Sequence, residues 1–344
     1  MARFLHGRMS RGTALAGLAV LGLSFGWLAR RARAISLQGK VAVVTGGSRG
    51  LGLLMAEELV RKGARVAICG RDPDAVDRAT KLLLSRHGAD VLGEARDLGD
   101  PAEAAAFVDS VVSRFGRIDV LVNNAGVIQV APLEMIDAAK IDEAMRSNFW
   151  SAANMTFAAM PHLGPDARIV NVTSVGGRVP LPHMLGYTAS KFAMVGFSEA
   201  LAAELRARGT KVTTVVPGPM RTGSFYNAEF LGRQKEEFAW FSVLSSLPLL
   251  SIDAKIAAER IVRAAREGQR EVHLGLVGRI LPVLHGLAPR LFGLISTAIA
   301  RLLPPPGHSV ERWRGREIDS TLHGSLLLEL GNRAARENNE EPPV

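Results

Sequence analysis

Apolar and polar residues alternate along this chain in a regular succession of short apolar runs and longer stretches with helical spacing. The short runs are rich in β-branched residues and predict strands, whereas apolar residues three and four positions apart predict helices. Seven runs predict strands near residues 40–45, 65–69, 90–94, 118–122, 168–172, 211–216 and 270–274. Strands that alternate with helices are typical of a parallel sheet joined by right-handed crossovers. The pattern therefore predicts the α/β class: a doubly wound parallel sheet of seven strands with helices on both faces.

An apolar segment precedes this domain, which we place at residues 37–275. Within residues 1–36, residues 13–29 carry no charge and are bounded by Arg11 and Arg30. A helix of this length reaches about 25 Å at about 1.5 Å per residue, near the short end of the range that spans a bilayer. We expect an N-terminal apolar helix that anchors the chain in a membrane. A cleaved signal peptide and a helix lying on a membrane surface or against the protein are the alternatives.

A second apolar segment, residues 276–306, follows the domain as a helical extension. Pro282 and Pro289 interrupt it and argue against one continuous spanning helix. From residue 290 to 303 the polar residues share one narrow face, so we expect an amphipathic helix. Such a helix would lie on a membrane, close over an apolar pocket, or pack on its own domain or on a dimer partner. Residues 307–344 are charged and predict a partly disordered tail.

Charge and cysteine content narrow the function classes. The chain has 344 residues, with 42 Lys and Arg against 33 Asp and Glu, and a net charge of +9. Much of the excess lies in arginines that flank the apolar segments, which favours attraction to anionic lipid over binding to nucleic acid. The single cysteine, Cys69, ends a predicted strand, so we expect a buried apolar filler and a reducing compartment. No metal-ligand pattern is present in the sequence.

Residues 45–52 read Thr-Gly-Gly-Ser-Arg-Gly-Leu-Gly and lie between a predicted strand and a predicted helix. Without side chains, Gly46 and Gly50 let the backbone approach a pyrophosphate, and Gly52 permits close packing of the helix. The N-terminus of the helix offers N–H groups to the anion. The motif therefore predicts a dinucleotide-binding turn in a Rossmann-type sheet.

A second motif carries the chemistry. Tyr187 and Lys191 are four residues apart and share one face of a predicted helix, so the ammonium is expected to lower the pKa of the phenol. Ser174, thirteen residues before Tyr187, would aim a hydroxyl at the oxygen that changes charge when a carbonyl and an alcohol interconvert. Taken alone, the Tyr-x-x-x-Lys spacing also occurs on solvated helix faces.

Together these motifs resemble the short-chain dehydrogenase/reductase family, in the subclass with a Thr-Gly-x-x-x-Gly-x-Gly turn and a Tyr-x-x-x-Lys motif. The resemblance covers roughly residues 37–274 and implies an NAD(P)-binding catalytic domain. It implies a catalytic tetrad of Asn148, Ser174, Tyr187 and Lys191. The cofactor contacts that we expect are Gly46, Ser48, Arg49, Gly50, Leu51, Gly52, Arg71, Asp97, Asn124, Ala125, Gly126, Tyr187, Lys191, Pro217, Gly218 and Thr222.

The resemblance also implies individual roles. Asp97 would contact the adenine, and Asn124 would belong to a segment that braces the sheet beside the adenosine. Thr222 would hold the nicotinamide amide, and Asn148 would support a water that relays protons toward Lys191. Without the resemblance, Asn124 reads as a turn residue and Thr222 as a helix N-cap.

The choice of dinucleotide follows from charge. An acidic residue about twenty positions beyond the glycines bonds the ribose 2′-hydroxyl of NAD, whereas an arginine there accommodates the 2′-phosphate of NADP. The second predicted strand ends in Gly70 and Arg71, and Arg49 adds a cation in the glycine turn. We expect NADP(H) rather than NAD(H). The alternative is that Asp72, which follows Arg71, rotates inward to the ribose.

The segment after Thr222 corresponds to a mobile lid over the substrate in the family that the chain resembles. Its aromatic residues predict an apolar lining. They are Phe225, Tyr226, Phe230, Phe238, Trp240 and Phe241. We therefore expect a lipophilic carbonyl or alcohol substrate, such as a steroid, retinoid, long-chain acyl or polyketide-like compound.

The resemblance further implies a homodimer or homotetramer. We expect a membrane-associated protein whose catalytic domain lies in the cytoplasm, with a soluble cytoplasmic protein as the alternative. Two other functions stay open at this point: a non-catalytic NADP-binding sensor and a membrane-associated interaction protein on the same fold.

Overall fold

The computed structural model describes residues 34–307, 309–318 and 325–340. Seven strands form the main sheet: β1 Val41–Thr45, β2 Arg65–Gly70, β3 Val91–Ala95, β4 Ile118–Asn123, β5 Leu163–Val172, β6 Lys211–Pro217 and β7 Glu271–Leu274. Their order is β7-β6-β5-β4-β1-β2-β3, and all neighbouring strands are parallel. The predicted doubly wound sheet of seven strands is confirmed.

β5 begins earlier than its apolar run predicted. Its first residues include Pro165 and Asp166, and Asp166 has a φ of 58°. The register between β4 and β5 shifts between Ile118 and Val120. Such a bulge lets an irregular segment extend a strand. Because this segment lacks apolar alternation, its pairing leaves no mark in the sequence.

Eleven α-helices are found in the described residues. They are α1 Gly50–Arg61, α2 Pro73–His87, α3 Pro101–Phe115, α4 Ala138–Met145, α5 Ser151–Ala159, α6 Leu185–Leu205, α7 Gln234–Ser246, α8 Ala254–Glu267, α9 Gly275–Leu287, α10 Pro289–Leu302 and α11 Glu329–Glu337. Local chemistry sets several boundaries. Asp72 and Asp100 accept hydrogen bonds from the first turns of α2 and α3, and both helices start with proline. Each ends at a glycine in the left-handed conformation, Gly88 and Gly116.

Helices cover both faces of the sheet and form two apolar layers. Along β1, Ala42 and Val44 face α1 and α8, whereas Val41 and Val43 face α3 and α5. This alternation follows from the two-residue period of a strand. Burying one Leu or Phe side chain contributes about 1.5–3 kcal/mol to the stability of the fold. The two apolar layers together therefore fix the position of the sheet and of the loops at its edge. Cys69 is buried in β2, and burial raises the pKa of its thiol to about 12.

The candidate site residues gather where the strand order reverses. β1 lies between β2 and β4, so the chain leaves β1 toward one side of the sheet and later returns on the other. A crevice opens between the loops at the carboxyl ends of such strands and is where ligands bind in doubly wound folds. The glycine turn follows β1 and Asn124 follows β4, while Ser174 and Thr222 follow β5 and β6.

A third apolar cluster lies beside the sheet and is built from the predicted lid. Phe225, Phe230 and Phe238 are almost completely buried in it. The ring centroid of Phe238 lies 5.9 Å from that of Phe225 and 5.6 Å from that of Phe230, both in edge-on geometry. These three rings pack on one another, so they form the core of the lid and not the predicted lining for a ligand.

The described part of the C-terminal segment packs on this cluster. Trp313–Arg314 pairs with Glu229–Phe230 in antiparallel register. Ile318, Leu328 and Ala335 are buried. This differs from the partly disordered tail that charge predicted. The segment is charged overall, but its few apolar residues cover the open side of the aromatic cluster.

α9 and α10 form a helical hairpin that follows β7. Its exposed apolar residues are Leu276, Ile280, Val283, Leu284, Leu287, Leu291, Leu294, Ile295, Ile299 and Leu302. α10 contains no buried residue and packs chiefly against α9. The expectation that this helix closes over an apolar pocket or packs on its own domain is therefore wrong.

No helix in the described ranges combines the length and apolarity needed to cross a membrane. The predicted anchor at residues 13–29 lies outside the described residues.

Candidate active site

The glycine turn connects β1 to α1 with backbone packed against backbone. Gly46 and Gly50 have φ values of 62° and 57°, a region that favours glycine. A Cβ on Gly46 would lie 2.9 Å from Ala125 Cα, and a Cβ on Gly52 would collide with the carbonyl oxygen of Gly46. The turn therefore presents main-chain groups at the start of α1. This cradle fits the phosphate groups of a dinucleotide.

The loop after β4 holds the turn in place. Thr45 Oγ1 accepts hydrogen bonds from the N–H groups of Asn124 at 2.9 Å and Ala125 at 3.0 Å. Asn124 Nδ2 donates to the carbonyl oxygens of Thr45 at 3.1 Å and Gly46 at 3.2 Å. The structure thus brings the residues predicted to brace the adenosine side into contact with the glycine turn.

The adenosine side carries the charged residues that were predicted there. Arg71 is exposed at the end of β2. Asp72 Oδ1 accepts from Asp74 N at 3.0 Å and from Ala75 N at 3.2 Å, so this oxygen caps α2 and does not point toward a ribose. Ser48 is buried against the end of β2, where a Cβ on Gly70 would lie 2.6 Å from its Oγ.

Asp97 lies farther from the turn, in the loop after β3. Its Oδ1 accepts from Gly99 N at 3.2 Å, and its Oδ2 lies 3.7 Å from Arg146 Nη2. About half of its side chain is exposed. It is a loop carboxylate with room for an adenine contact, and its present partners are protein groups.

Sequence reasoning missed a further set of residues at the glycine turn, the C-terminal residues 338–340. Gly50 N donates to Asn338 O at 2.8 Å, and Asn338 Nδ2 donates to Thr222 O at 3.1 Å. Asn339 Nδ2 donates to Ser48 O at 2.7 Å and to Ala75 O at 3.1 Å. No periodicity or spacing in the sequence links this segment to a turn almost three hundred residues earlier.

Glu340 is a buried carboxyl residue of that segment. Its Oε2 accepts from Asn227 Nδ2 at 2.6 Å and lies 3.7 Å from Arg49 Nε. Only 5% of the residue is exposed. Burial raises the pKa of this carboxyl to about 7, against the opposing effects of Arg49, the Asn227 amide and Arg316. Burial also lowers the pKa of Arg49.

Ser174 and Tyr187 converge at the carboxyl end of β5. A Cβ on Gly176 would lie 3.5 Å from Ser174 Oγ and 3.4 Å from Tyr187 Cε1, so both side chains border the same point. Ser174 Oγ accepts from Gly176 N at 3.0 Å, which fixes the hydroxyl at the start of a short turn. Burial raises the pKa of Tyr187, and a hydrogen bond with Ser174 opposes this increase.

Lys191 lies one helical turn beyond Tyr187 on α6, as predicted. Its Nζ donates to Val172 O at 3.2 Å and lies 5.8 Å from the centroid of the Tyr187 ring. Burial lowers the pKa of the ammonium to about 8. Burial therefore sets the direction of the pKa shift of Tyr187 in this structure. The expected effect of Lys191 on the phenol stays a prediction.

Asn148 lies in a π-helical turn, Arg146–Trp150, between α4 and α5. Its Oδ1 accepts from Val127 N at 2.8 Å, and its Nδ2 donates to Val127 O at 3.1 Å and to Ser190 Oγ at 3.0 Å. A Cβ on Gly126 would lie 2.5 Å from Asn148 Oδ1 and 3.6 Å from Lys191 Nζ. All four predicted tetrad residues thus gather at one edge of the sheet. Single π turns of this kind are frequent at functional sites.

The loop after β6 brings the remaining predicted residues to the same edge. Gly218 N donates to Leu274 O at 2.9 Å, and a Cβ on Gly218 would lie 2.8 Å from Gly278 N. Thr222 is buried, and its Oγ1 accepts from Ser224 N at 3.1 Å. Its carbonyl and hydroxyl oxygens both contact protein groups. The N-cap of the short helix that follows is Gly223, so the alternative interpretation of Thr222 as an N-cap is wrong.

Tyr187, Ile128 and Leu181 are partly buried residues that pack against the third apolar cluster. Beneath the lid, Glu237 is completely buried and accepts from Trp240 Nε1 at 2.7 Å. Its second oxygen lies 2.7 Å from His183 Nδ1. A surface cavity of about 380 Å³ is lined by none of the candidate residues. This cavity therefore does not mark the candidate site. We place the site where Ser174, Tyr187 and Lys191 converge.

Known proteins are similar to this chain in sequence and in fold. The family model for short chain dehydrogenases matches residues 40–229. The chain is similar to SadH of Mycobacterium tuberculosis, which carries an oxidoreductase name, with 31% identity over 78% of this chain and 98% of that protein. It is also 34% identical to 11-beta-hydroxysteroid dehydrogenase A of Sesamum indicum over 68% of each chain.

Among solved structures, a short chain dehydrogenase from Burkholderia cenocepacia in complex with NADP has a similar fold, with a TM-score of 0.61. The two sequences are 29% identical, and the match covers 70% of this chain and 98% of that one.

Proposed function

The chain belongs to the short chain dehydrogenase family, and on that premise we propose that it is an NADP(H)-dependent oxidoreductase of lipophilic carbonyl compounds and alcohols. The observation that carries this proposal is the convergence of Ser174, Tyr187 and Lys191 beside the glycine turn. Asn148 and the loop after β4 complete the edge on which the site is built.

Tyr187 is the proton donor in the proposed reduction. The dinucleotide, when bound, supplies the hydride. Burial holds the phenol in its protonated form at neutral pH, because it raises the pKa. The phenol can therefore give its proton to a carbonyl oxygen that gains charge. Ser174 Oγ, held by Gly176 N, orients and polarises the same oxygen.

Lys191 and Asn148 support the proton donor. The Lys191 ammonium lies 5.8 Å from the centroid of the phenol ring. At this position it would bind the ribose of the coenzyme and pass protons inward from solvent. Asn148 positions the loop at Val127 through two hydrogen bonds. Its amide and the ammonium border a common point next to Gly126, which suits a relay water.

Three observations support NADP(H) as the coenzyme. Asp72 uses a carboxylate oxygen to cap α2, which leaves Arg71 as the charged group at the end of β2. Arg49 adds a second guanidinium in the glycine turn. One similar structure contains NADP. Guanidinium groups bind a phosphate with paired hydrogen bonds, so both arginines would hold the 2′-phosphate.

A lipophilic substrate is supported by the groups near Tyr187. Ile128 and Leu181 pack, like Tyr187, against the third apolar cluster, and Met184 is buried in it. The relative from Sesamum indicum is named a hydroxysteroid dehydrogenase. We therefore propose a substrate of that class, a hydrophobic ketone or secondary alcohol.

The helical hairpin supplies the proposed contact with a membrane. Its row of exposed leucine and isoleucine side chains is larger than a soluble surface usually carries. Residues 272–310 contain no Asp or Glu, but they include Arg279, Arg290 and Arg301. This charge pattern fits an anionic lipid surface. We place the catalytic domain on the cytoplasmic side, where Cys69 stays reduced.

Self-association is proposed through a different surface. Trp150 and Phe157 are 48% and 55% exposed and are linked through the rings of Phe149 and Phe197. A dimer that covers these rings would explain their exposure. Light scattering of Phe157→Glu against the parent chain tests this, because a variant that keeps the parent mass excludes this surface as the interface.

The proposed activity is tested by NADPH oxidation with a panel of hydrophobic ketones. Tyr187→Phe should reduce kcat by about 10²–10⁴-fold, since it removes the proton donor and keeps the ring. Tyr226→Phe is a matched control, because the chain has two tyrosines and this one donates to Asn332. Reduction by Tyr187→Phe at the parent rate would exclude the assigned role. Tight NADPH binding without turnover of any ketone would favour a sensor.

A further inference from the structure

The last described residues follow the route that the coenzyme is expected to take. From the end of α11, residues 338–340 pass from Thr222, on the nicotinamide side, across Gly50 to Ser48 on the adenosine side. Three consecutive residues thus bond to three parts of the predicted dinucleotide site. Arg78 Nε also donates to Asn339 Oδ1 at 3.1 Å, which ties the segment to α2.

We propose that residues 338–340 are an internal ligand of the glycine turn, and that this segment and the dinucleotide phosphates exclude each other. The inference rests on the proposed function, because it takes the turn to be the phosphate site. It adds that the coenzyme binds only after the C-terminal segment has left.

Space is the first reason. The carboxylate of Glu340 lies so close to Gly50 that a Cβ on this glycine would collide with Oε1, and Thr222 Cβ lies on the other side. Glycine is used in such turns because the pyrophosphate must approach the backbone closely. Glu340 occupies the approach that Gly50 leaves open, so a phosphate cannot enter while it stays.

Hydrogen-bond donors are the second reason. The N–H of Gly50, at the start of α1, is bonded to Asn338 O. Asn227 Nδ2 is bonded to Glu340, both at the carboxylate and at the backbone carbonyl, the latter at 2.9 Å. Donors directed at one acceptor are not available to another without a rearrangement. The segment therefore satisfies the groups that a phosphate would otherwise use.

Charge is the third reason. Arg49 lies in the turn and is the closest cation to Glu340, and Arg316 lies within electrostatic reach of both. A second anion at this point would repel the ionised form of Glu340 across a buried space, where screening is weak. The arginines can hold the carboxylate or the phosphates, but both together would be unfavourable.

The consequence is a closed form of the protein with reduced affinity for the coenzyme. The apparent dissociation constant equals the intrinsic one divided by the fraction of molecules that are open. Removing the segment should therefore lower the Kd for NADPH. If about nine molecules in ten are closed, the expected decrease is about tenfold.

The test compares NADPH binding by three chains using isothermal titration calorimetry. The full chain is compared with one that ends at Glu337 and with one that ends at Glu340. The chain that ends at Glu337 should bind NADPH about tenfold more tightly. The chain that ends at Glu340 keeps the internal ligand and is the matched control, so it should bind like the full chain. Circular dichroism shows whether each chain is folded.

A second measurement covers the case in which truncation unfolds the protein. Hydrogen exchange on the full chain should show that NADPH increases exchange in peptides that contain residues 328–340, since binding releases them. The Glu340→Ala variant should bind NADPH more tightly than the parent for the same reason.

The outcomes separate this inference from the proposed function. Equal or weaker binding by the chain that ends at Glu337, or added protection of residues 328–340, would overturn the internal ligand and leave the enzyme assignment intact. Weaker binding would make the segment part of the coenzyme pocket. If no chain binds NADPH, the coenzyme assignment fails, and this inference fails with it.

Discussion

Tyr187 and Lys191 are both pushed toward their uncharged forms by burial. The phenol at the end of the crevice is therefore a proton donor at neutral pH. It becomes a base only when the pH rises, so oxidation of an alcohol should gain rate as the pH increases while reduction loses it. This pH dependence follows from packing around α6 and could not be derived from the four-residue spacing alone.

Replacing Lys191 with methionine should separate stability from activity. The pKa of Lys191 is about 8 in the folded chain and 10.5 ordinarily. Between these values the unfolded state binds more protons, so the stability of the parent rises with pH. Lys191→Met should be more stable than the parent at pH 7 in urea unfolding, and the difference should shrink as the pH rises above 8.

Activity of Lys191→Met should be lost at every pH. The exposed Lys235→Met variant is the control and should show neither effect. A difference in stability that stays constant between pH 7 and 10 would contradict the assigned burial of the charge.

Arg71 should determine the preference between coenzymes. Arg71→Ala removes a guanidinium that would bond the 2′-phosphate, and hydrogen bonds to charged groups contribute about 1.5–3 kcal/mol. The Kd for NADPH should rise about tenfold or more, while the Kd for NADH stays the same. Arg61→Ala, at the exposed end of α1, should change neither constant. An unchanged ratio of the two constants in Arg71→Ala would remove this residue from the phosphate site.

At the scale of elements, α11 and the residues that follow it decide whether the glycine turn is open. The pKa of Glu340 is about 7 instead of 4.5. Folded-state stability from this group is present below pH 4.5 and is lost as the pH rises through 7. Docking of the segment should therefore weaken in the same range. Arg49 and Arg316 are the charged groups that face the carboxyl.

The segment should thus inhibit coenzyme binding less as the pH rises. The ratio of the NADPH dissociation constants of the full chain and the chain that ends at Glu337 should fall between pH 5 and pH 7 and level off above that range. Titration of the coenzyme affects both chains equally and cancels in the ratio. A ratio above one that does not change with pH would show that Glu340 remains ionised in the closed form.

Elements with a local cause could be predicted from the sequence. Strand β1, the glycine turn and α1 follow from an apolar run, three glycines and a helical repeat within some twenty residues. Tyr187 and Lys191 follow from one helix. The position of Glu340 could not be predicted, because it depends on the packing of Leu328 and Ala335 against the aromatic core around Phe225 and Phe238. That contact joins residues about a hundred positions apart.

The lid shows another limit of prediction from sequence. Its aromatic residues were predicted to line a ligand, because their composition is that of an apolar pocket. Phe225, Phe230 and Phe238 are instead buried against one another. Composition identifies apolar surface but does not tell whether a ring faces a ligand or another ring.

At the scale of the whole molecule, the sheet is covered on both faces and the unpartnered apolar surface is concentrated in the hairpin of α9 and α10. Leu294 and Leu302 are 70% and 85% exposed there.

A fluorophore attached to the hairpin should report the proposed contact with a membrane. Cys69 is buried, so Leu294→Cys can be labelled selectively with an environment-sensitive dye. Its emission should shift to the blue on vesicles that contain phosphatidylglycerol, and less on neutral vesicles. Leu249→Cys is the control, because Leu249 is also exposed, at 84% against 70% for Leu294, but lies outside the hairpin. A blue shift that grows with protein concentration without vesicles would show instead that the hairpin binds a second copy of the chain.

The most direct measurement of the central claim is the transfer of label from NADPH deuterated at C4 to a hydrophobic ketone. Mass spectrometry of the alcohol should show one deuterium for each coenzyme oxidised by the parent chain. Tyr187→Phe should still bind the coenzyme but transfer label about 10²–10⁴-fold more slowly. Label transfer by Tyr187→Phe at the parent rate, or its absence from the alcohol formed by the parent, would contradict the account.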